Sequence, residues 1–175
     1  MIIVLSQKID TDSTYSGDDV FRIYHYPSRY KNQIHTGDIF VYYQGNRYDK
    51  KKRYYFGVGR VGEISKENED DYYAELLFTT KFIKKVPIYM ANGGYVEQLG
   101  YETVRKSMNP PWQSSVRPIS IEAFKYILDH SESNEIVYEY NNLLKKSIQK
   151  YYISNQKGAL MEIINLIQKL LVLYT

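Results

Sequence analysis

The chain has no cysteine, and that absence closes two routes at once. Without thiols there is neither a disulfide framework nor a cysteine-type structural zinc, and a reducing cytoplasm is the compartment this composition fits. Histidine is almost as scarce. His25, His35 and His130 stand far apart, with no His-Glu-x-x-His pair to hold a catalytic metal. There is no Gly-x-Ser-x-Gly elbow, no Glu-x-Lys of the kind that closes a nuclease carboxylate–lysine site, and no histidine cluster resembling an HNH nuclease core. Hydrolysis by this chain alone is therefore not expected, and no metal or other cofactor is required. No apolar run approaches the roughly 20 residues that cross a bilayer. The start, Met1-Ile2-Ile3-Val4-Leu5-Ser6, lacks the basic flank and cleavage site of a signal peptide and reads as a first strand. A soluble, cytoplasmic protein with no membrane partner is expected.

What is present in excess is tyrosine: 20 Tyr against 6 Phe and a single Trp in 175 residues. That length suits one domain with a real core and a small appendage. Net charge is only +3, but it is unevenly spread. Between Val20 and Arg60 lie nine cations (Arg22, Arg29, Lys31, Arg47, Lys50, Lys51, Lys52, Arg53, Arg60) against Asp38 and Asp49, a local +7 that leaves −4 elsewhere. Such an asymmetry fits a basic face aimed at a polyanion, although a run like Asp49 to Arg53 is equally well a solvated loop tip.

Element signals run from strands to helices. Ile2 to Leu5 is strand-like, and the Ser-, Thr-, Asp- and Gly-rich stretch from Gln7 to Asp19 is a loop. Ile39 to Tyr43 follows a Thr36-Gly37-Asp38 turn and reads as a buried strand, paired across the basic loop with Tyr54 to Ile64. After the acidic Asp70-Asp71 turn, Tyr72 to Phe78 alternates as a half-exposed strand, and Phe82 to Tyr89 forms another that Pro87 confines to an edge or bulge. Glycines and Pro110-Pro111 make Asn92 to Gln113 a long irregular excursion, of a length at which loops are usually functional or mobile. Ser120 is a suitable N-cap for a helix over Ile121 to Asp129. Two further helices are expected, one from Glu135 with Ile136, Tyr140, Leu143, Leu144, Ile148 and Tyr151 on one stripe, and one after Gly158. Leu166, Val172 and Leu173 add apolar surface to the far side of the last helix, so it needs a cover: the β domain, the preceding helix, a second copy, or a further domain that would begin there.

Gly57-Val58-Gly59-Arg60-Val61-Gly62 matches the dinucleotide fingerprint in letters only. The fingerprint needs a helix N-terminus to receive the pyrophosphate and an acid about 20 residues on; here strand residues continue to Ile64, and Thr79 and Thr80 stand at the distant position. These glycines are instead expected to permit sharp strand curvature or a close approach.

A family resemblance is carried by an ordered set of motifs: Tyr24-His25-Tyr26-Pro27, Gly37-Asp38-Ile39-Phe40-Val41-Tyr42-Tyr43, Tyr55-Phe56-Gly57-Val58-Gly59-Arg60-Val61, Tyr73-Ala74-Glu75, Phe82 with Val86-Pro87, and Trp112-Gln113-Ser114-Ser115-Val116-Arg117-Pro118-Ile119-Ser120. Over residues 20 to 130 the chain resembles the EVE, YTH and ASCH members of the PUA superfamily, in the form found as the N-terminal domain of HNH-type, modification-dependent restriction endonucleases. The resemblance implies an α+β fold, a PUA-like (EVE-type) curved β-barrel with flanking helices over residues 1–131, followed here by a C-terminal helical segment, 135–175, where the nuclease half would stand. It implies a reader of a modified or flipped base in a restriction or defence system, non-catalytic in itself. Its nuclease or helicase effector would be a separate protein or a missing domain, and the helical segment would serve as a dimerisation element, a hairpin or a linker.

The residues fit that chemistry. Unstacking a base costs a few kcal/mol, and aromatic stacking returns about 1 to 3 kcal/mol per base. Trp112 is the first candidate for a pocket wall, with Gln113 beside it able to donate and accept; the alternative is that Trp112 plugs the barrel end. Tyr24 and Tyr26 project to one side of an extended segment, as an opposing wall or as core. Tyr42 and Tyr43 face opposite ways, so only one can line a cavity, and Tyr43 is the candidate. His25, Ser28 and Asn32 are candidates for contacts to the base edge, although a turn after Pro27 explains Ser28 and Asn32 equally well. Arg29, Lys31, Lys50, Lys51, Lys52, Arg53, Arg60 and Arg117 are candidates for the phosphate backbone, with Arg117 as readily a structural ion pair. DNA ranks ahead of RNA as target. An RNA-binding module of the same fold and a self-associating protein acting through its C-terminal helices are the alternatives.

Overall fold

The structure is a computed structural model and describes residues 1–9, 19–45, 49, 52–100, 114–133, 140 and 142. The chain divides into two units, Met1–Asn134 and Glu135–Thr175, and the sheet and helix belong to the first. Of the C-terminal helices expected from sequence, only positions 140 and 142 are described, both helical; the remainder lies outside the described residues. No helix among the described residues is long and apolar enough to cross a membrane.

Six strands form one mixed sheet: β1 (Ile2–Ser6), β2 (Ile23–Pro27), β3 (Ile39–Gln44), β4 (Tyr54–Lys66), β5 (Asp71–Pro87) and β6 (Val116–Pro118), in the order β2-β5-β4-β3-β1-β6. Only β1 and β3 run parallel. β1 lies between β3 and β6, and Ile2 to Leu5 are buried on both faces of the sheet, which is why its apolar run carries no alternation. The long pair β4 and β5 changes register at Tyr55/Gly57, at Val58/Arg60 and at Val61/Ile64, and each irregularity adds twist, so the sheet curls into a half-barrel.

The glycines of β4 serve this curl. A Cβ on Gly57 would lie 2.6 Å from the Phe21 ring, and one on Gly59 would lie 2.6 Å from the Phe40 ring, so both positions accept side chains that cross the strand. All three glycines of the fingerprint-like hexapeptide sit within the strand, away from any helix N-terminus.

One difference from the sequence reading concerns β5. Two strands were expected, Tyr72–Phe78 and Phe82–Tyr89, but a single strand runs from Asp71 to Pro87. The break signalled at Phe78 is a bulge that bends the strand without ending it, with Phe78 itself at φ 49°. Pro87 is tolerated at the far end, because β2 pairs only with Asp71–Glu75 and leaves that side of β5 open.

The concave core gathers Ile3 and Leu5 of β1, Phe40 and Tyr42 of β3, Phe56 and Val61 of β4, Ala74 and Leu76 of β5, Tyr24 and Tyr26 of β2 and Val116 of β6. Aromatic contacts dominate it: Tyr42 and Phe56 stack at 5.1 Å and 4°, and Phe21 meets Tyr42 edge-on at 5.2 Å. The neighbouring positions Val4, Val41, Tyr43, Tyr55 and Val58 face the other way and are buried as well. Helix α1 (Ile121–His130) is capped by Ser120, whose Oγ accepts from the Ala123 N–H at 3.0 Å. It buries Ala123, Phe124, Ile127 and Leu128 and packs on β5 and on the 3-10 turn Val96–Gln98.

Candidate nucleic-acid interface

Tyr24 and Tyr26 alternate onto the concave side, as their spacing requires, and that side is the core: they are 3% and 1% exposed. Tyr26 stacks between Tyr24 at 6.2 Å and Tyr72 at 5.6 Å, and burial, then the Tyr72 hydroxyl, pushes its phenol up to about 12. Both residues therefore belong to the core, not to an open pocket wall. Tyr42 and Tyr43 face opposite ways, as expected, yet both are buried, so neither lines an open surface. Tyr43 lies under the Arg117 guanidinium at 4.6 Å, and burial raises its phenol above the ordinary value despite that charge.

Arg117 is likewise a core residue. Its Nε donates to Glu97 Oε2 at 2.8 Å and its Nη2 to Oε1 at 2.7 Å, a two-point pair in which each side chain is 4% exposed. Tyr55 donates to the same carboxylate at 2.7 Å. Burial and then Glu97 push the Tyr55 phenol well up; burial alone would weaken the charge on Arg117, but the bonds to Glu97 outweigh it and raise its pKa. A guanidinium so enclosed cannot touch a phosphate, so the ion-pair alternative is the one realised.

That pair has a definite place in the chain. Glu97 stands in a 3-10 turn within the Asn92–Gln113 excursion, and Arg117 stands in the strand that follows it. Ser120 Oγ also reaches back to the Leu99 carbonyl at 2.6 Å, and Arg117 Nη1 donates to the Ser114 carbonyl at 3.0 Å. The early part of the excursion is thus tied from inside the fold to the strand and helix cap that follow it. The chain just after the excursion is held once more, where the Ser115 N–H donates to Tyr30 Oη at 3.2 Å.

Tyr30 closes the 3-10 turn Ser28–Tyr30 and is buried, with the guanidinium of Arg29 4.9 Å above its ring. Burial alone would raise its phenol, but the Ser115 bonds and the Arg29 charge together lower it. Arg29, Lys31 and Asn32 are exposed around this turn, and Ser28 is half-buried, its backbone bonded to Asp70 and Lys31. Sequence reasoning placed Arg29 and Lys31 here but passed over Tyr30, which joins their turn to the excursion; its position directly after Arg29 was the available signal. Glu97 was also passed over, since nothing local distinguishes a lone acid in a glycine-rich stretch.

The other candidates scatter. His25 lies on the outer face of β2, its Nε2 2.7 Å from Asp71 Oδ1 and its ring stacked on Tyr73 at 4.9 Å. Bonds from Asn68 and then His25 hold the Asp71 carboxyl below its usual value. Arg60 is exposed on β4 and donates to the Gly37 carbonyl at 3.1 Å; Lys52 is exposed and Arg53 half-buried at the start of β4. Lys50, Lys51, Trp112 and Gln113 lie outside the described residues. Among the described residues, the exposed candidate cations are thus Arg29 and Lys31 at the turn beside Ser115, and Arg60 and Lys52 elsewhere. No protein-family model matches the chain, and no curated protein matches it at significance.

Proposed function

We propose that this chain is a non-catalytic nucleic-acid reader, a PUA-like (EVE-type) domain that takes up a modified or flipped base, in DNA ahead of RNA, on behalf of a separate nuclease or helicase effector in a restriction or defence system. The observation that carries the reading is the junction of Arg29, Tyr30 and Ser115. It sets a cationic turn against the point where the Trp112-bearing excursion rejoins the fold. The cationic turn and the chain that follows the Trp112-bearing segment are thereby joined through one tyrosine, and charge for the backbone with an aromatic residue for the base is the combination that single-strand and flipped-base recognition uses. The curled sheet with its flanking helix is the scaffold such a domain would have. Segment 135–175 is assigned the link to the effector or to a second copy.

The test is a binding titration at two salt concentrations against matched DNA and RNA oligonucleotides, plain, cytosine-modified and adenine-modified. Affinity is expected to fall steeply with salt, while a preference for one modification persists. Replacing Arg29 and Lys31 by Ala should weaken binding to all oligonucleotides alike and flatten the salt dependence, whereas Trp112→Ala should remove the preference and spare the salt-dependent background. A wild-type protein that binds none of the oligonucleotides at low salt sinks the proposal, and a preference resting on the 2′-hydroxyl reassigns the target to RNA.

A further inference from the structure

Asn92 is the only asparagine of the chain that is followed by glycine. An asparagine loses its side-chain amide when the next backbone nitrogen attacks the amide carbon, and a side chain on the next residue screens that nitrogen. Gly93 offers no screen: a Cβ added there would meet nothing within 4 Å, and Ala91, Asn92 and Gly93 are all exposed to water. Its φ of 86° is a conformation that glycine takes without strain.

The fold holds this dipeptide in a closed turn. Tyr89 and Tyr95 pair across it as an antiparallel bridge with their rings 4.8 Å apart, and the Met90 N–H donates to the Gly94 carbonyl at 2.8 Å. Inside the turn the Gly94 N–H donates to Asn92 Oδ1 at 3.1 Å, so the side-chain amide folds over the backbone that follows it, toward the Gly93 nitrogen. The same donor sits on the oxygen where negative charge develops when that nitrogen adds to the amide carbon, and a donor already in place there stabilises the charge. One bond opposes the reaction. The Gly93 N–H donates to the Met90 carbonyl at 2.9 Å and must be released first, but a single hydrogen bond on an exposed turn slows the step by no more than about tenfold.

The other exposed asparagines among the described residues are built differently. Asn68 has both ends of its amide engaged, Oδ1 accepting from the Asp70 and Asp71 N–H groups and Nδ2 donating to Asp71, and the next residue, Glu69, carries a side chain. Asn32 is followed by Gln33, which also carries one and whose N–H is bonded to the Tyr30 carbonyl at 2.8 Å.

We infer that Asn92 is a modification site, at which the folded chain deamidates spontaneously. The Gly93 nitrogen forms a bond to Asn92 Cγ, the bond from Cγ to the side-chain nitrogen breaks, and that nitrogen leaves as ammonia with the Gly93 amide proton. Water then opens the cyclic imide at either carbonyl, giving aspartate or an isoaspartyl link that carries the main chain through Cβ. Both products add a negative charge to the turn, and the isoaspartyl link lengthens the main chain between Tyr89 and Tyr95. The inference is independent of the proposed function. The test is peptide mapping by mass spectrometry after incubation in mildly alkaline buffer at physiological temperature, on the folded protein, on the same chain unfolded in urea, and on Gly93→Ala in both states. In the folded protein the Asn92 peptide should gain the mass of an amide-to-acid exchange and split into two chromatographic peaks of equal mass, at a rate within about tenfold of the unfolded chain. The Asn32 and Asn68 peptides should stay unchanged over the same time. Gly93→Ala should slow the gain even in urea, where there is no turn left to disturb. An Asn92 that survives in the folded protein while the unfolded chain loses its amide overturns the inference, as does an Asn32 or Asn68 that keeps pace with it. A single aspartate product, or a Gly93→Ala chain that reacts as fast as wild type in urea, also overturns it, because attack by the Gly93 nitrogen would then not be the route.

Discussion

Arg117 carries a full charge into the core, where it is bonded at two points to Glu97 and lies over the Tyr43 ring. Enclosed ion pairs of this kind add little net stability, because desolvation offsets the attraction, while breaking one leaves a charge stranded. Arg117→Met alone is therefore expected to cost about 3–5 kcal/mol in chemical denaturation, and the double variant Glu97→Leu, Arg117→Met much less than that. Equal losses in the two proteins would show that the pair stabilises the fold in its own right. The sequence left Arg117 between two roles because its partner stands far away in the chain and only the fold brings them together. Asp71 allows a second test. Bonds from Asn68 and His25 hold its carboxyl below its usual value, so its contribution to stability is present above the unfolded value of 3.8 and fades as pH falls through the lower, folded value. Asp71→Asn should thus flatten the acid limb of the melting curve at and below the unfolded value of 3.8, and an unchanged limb would exclude this carboxylate as a contributor.

Among the elements, β1, β3 and β4 were legible because apolar runs bounded by turn residues mean the same thing whether a strand is central or not. Helix α1 was legible from its Ser120 cap, and it runs one residue beyond the expected Asp129, to His130. The continuity of β5 was hidden by its bulge, since the left-handed position holds Phe78 and not the glycine that marks such sites. The alternation of Tyr24 and Tyr26 was also readable, but which side of the strand becomes the interior depends on the direction of curl, and that is set by bulges scattered along β4 and β5. The curl can be tested at Gly57, where an added methyl meets the Phe21 ring at 2.6 Å and the Thr80 carbonyl at 3.0 Å. Gly57→Ala should destabilise by about 1–3 kcal/mol as an overpacked site, measurable in urea. A neutral outcome would mean that Phe21 can move aside and does not brace the bend.

At the scale of the molecule, strands β1 and β6 meet at Ile3↔Pro118, and β1 also lies against β3 at Ile3↔Phe40. β1 thus precedes both of its neighbours in the chain, and β6 follows it by nearly all the rest of the domain. Until β6 is made, Ile3, Val4 and Leu5 have β3 on one side only, and long-range pairing of this sort is slow to form and exposes unpaired edges while it waits. Completion of the domain is accordingly a late event in its synthesis. A nascent chain halted before Val116 holds its most apolar strand without one of its two partners, ready to be met by a chaperone or to pair with another chain.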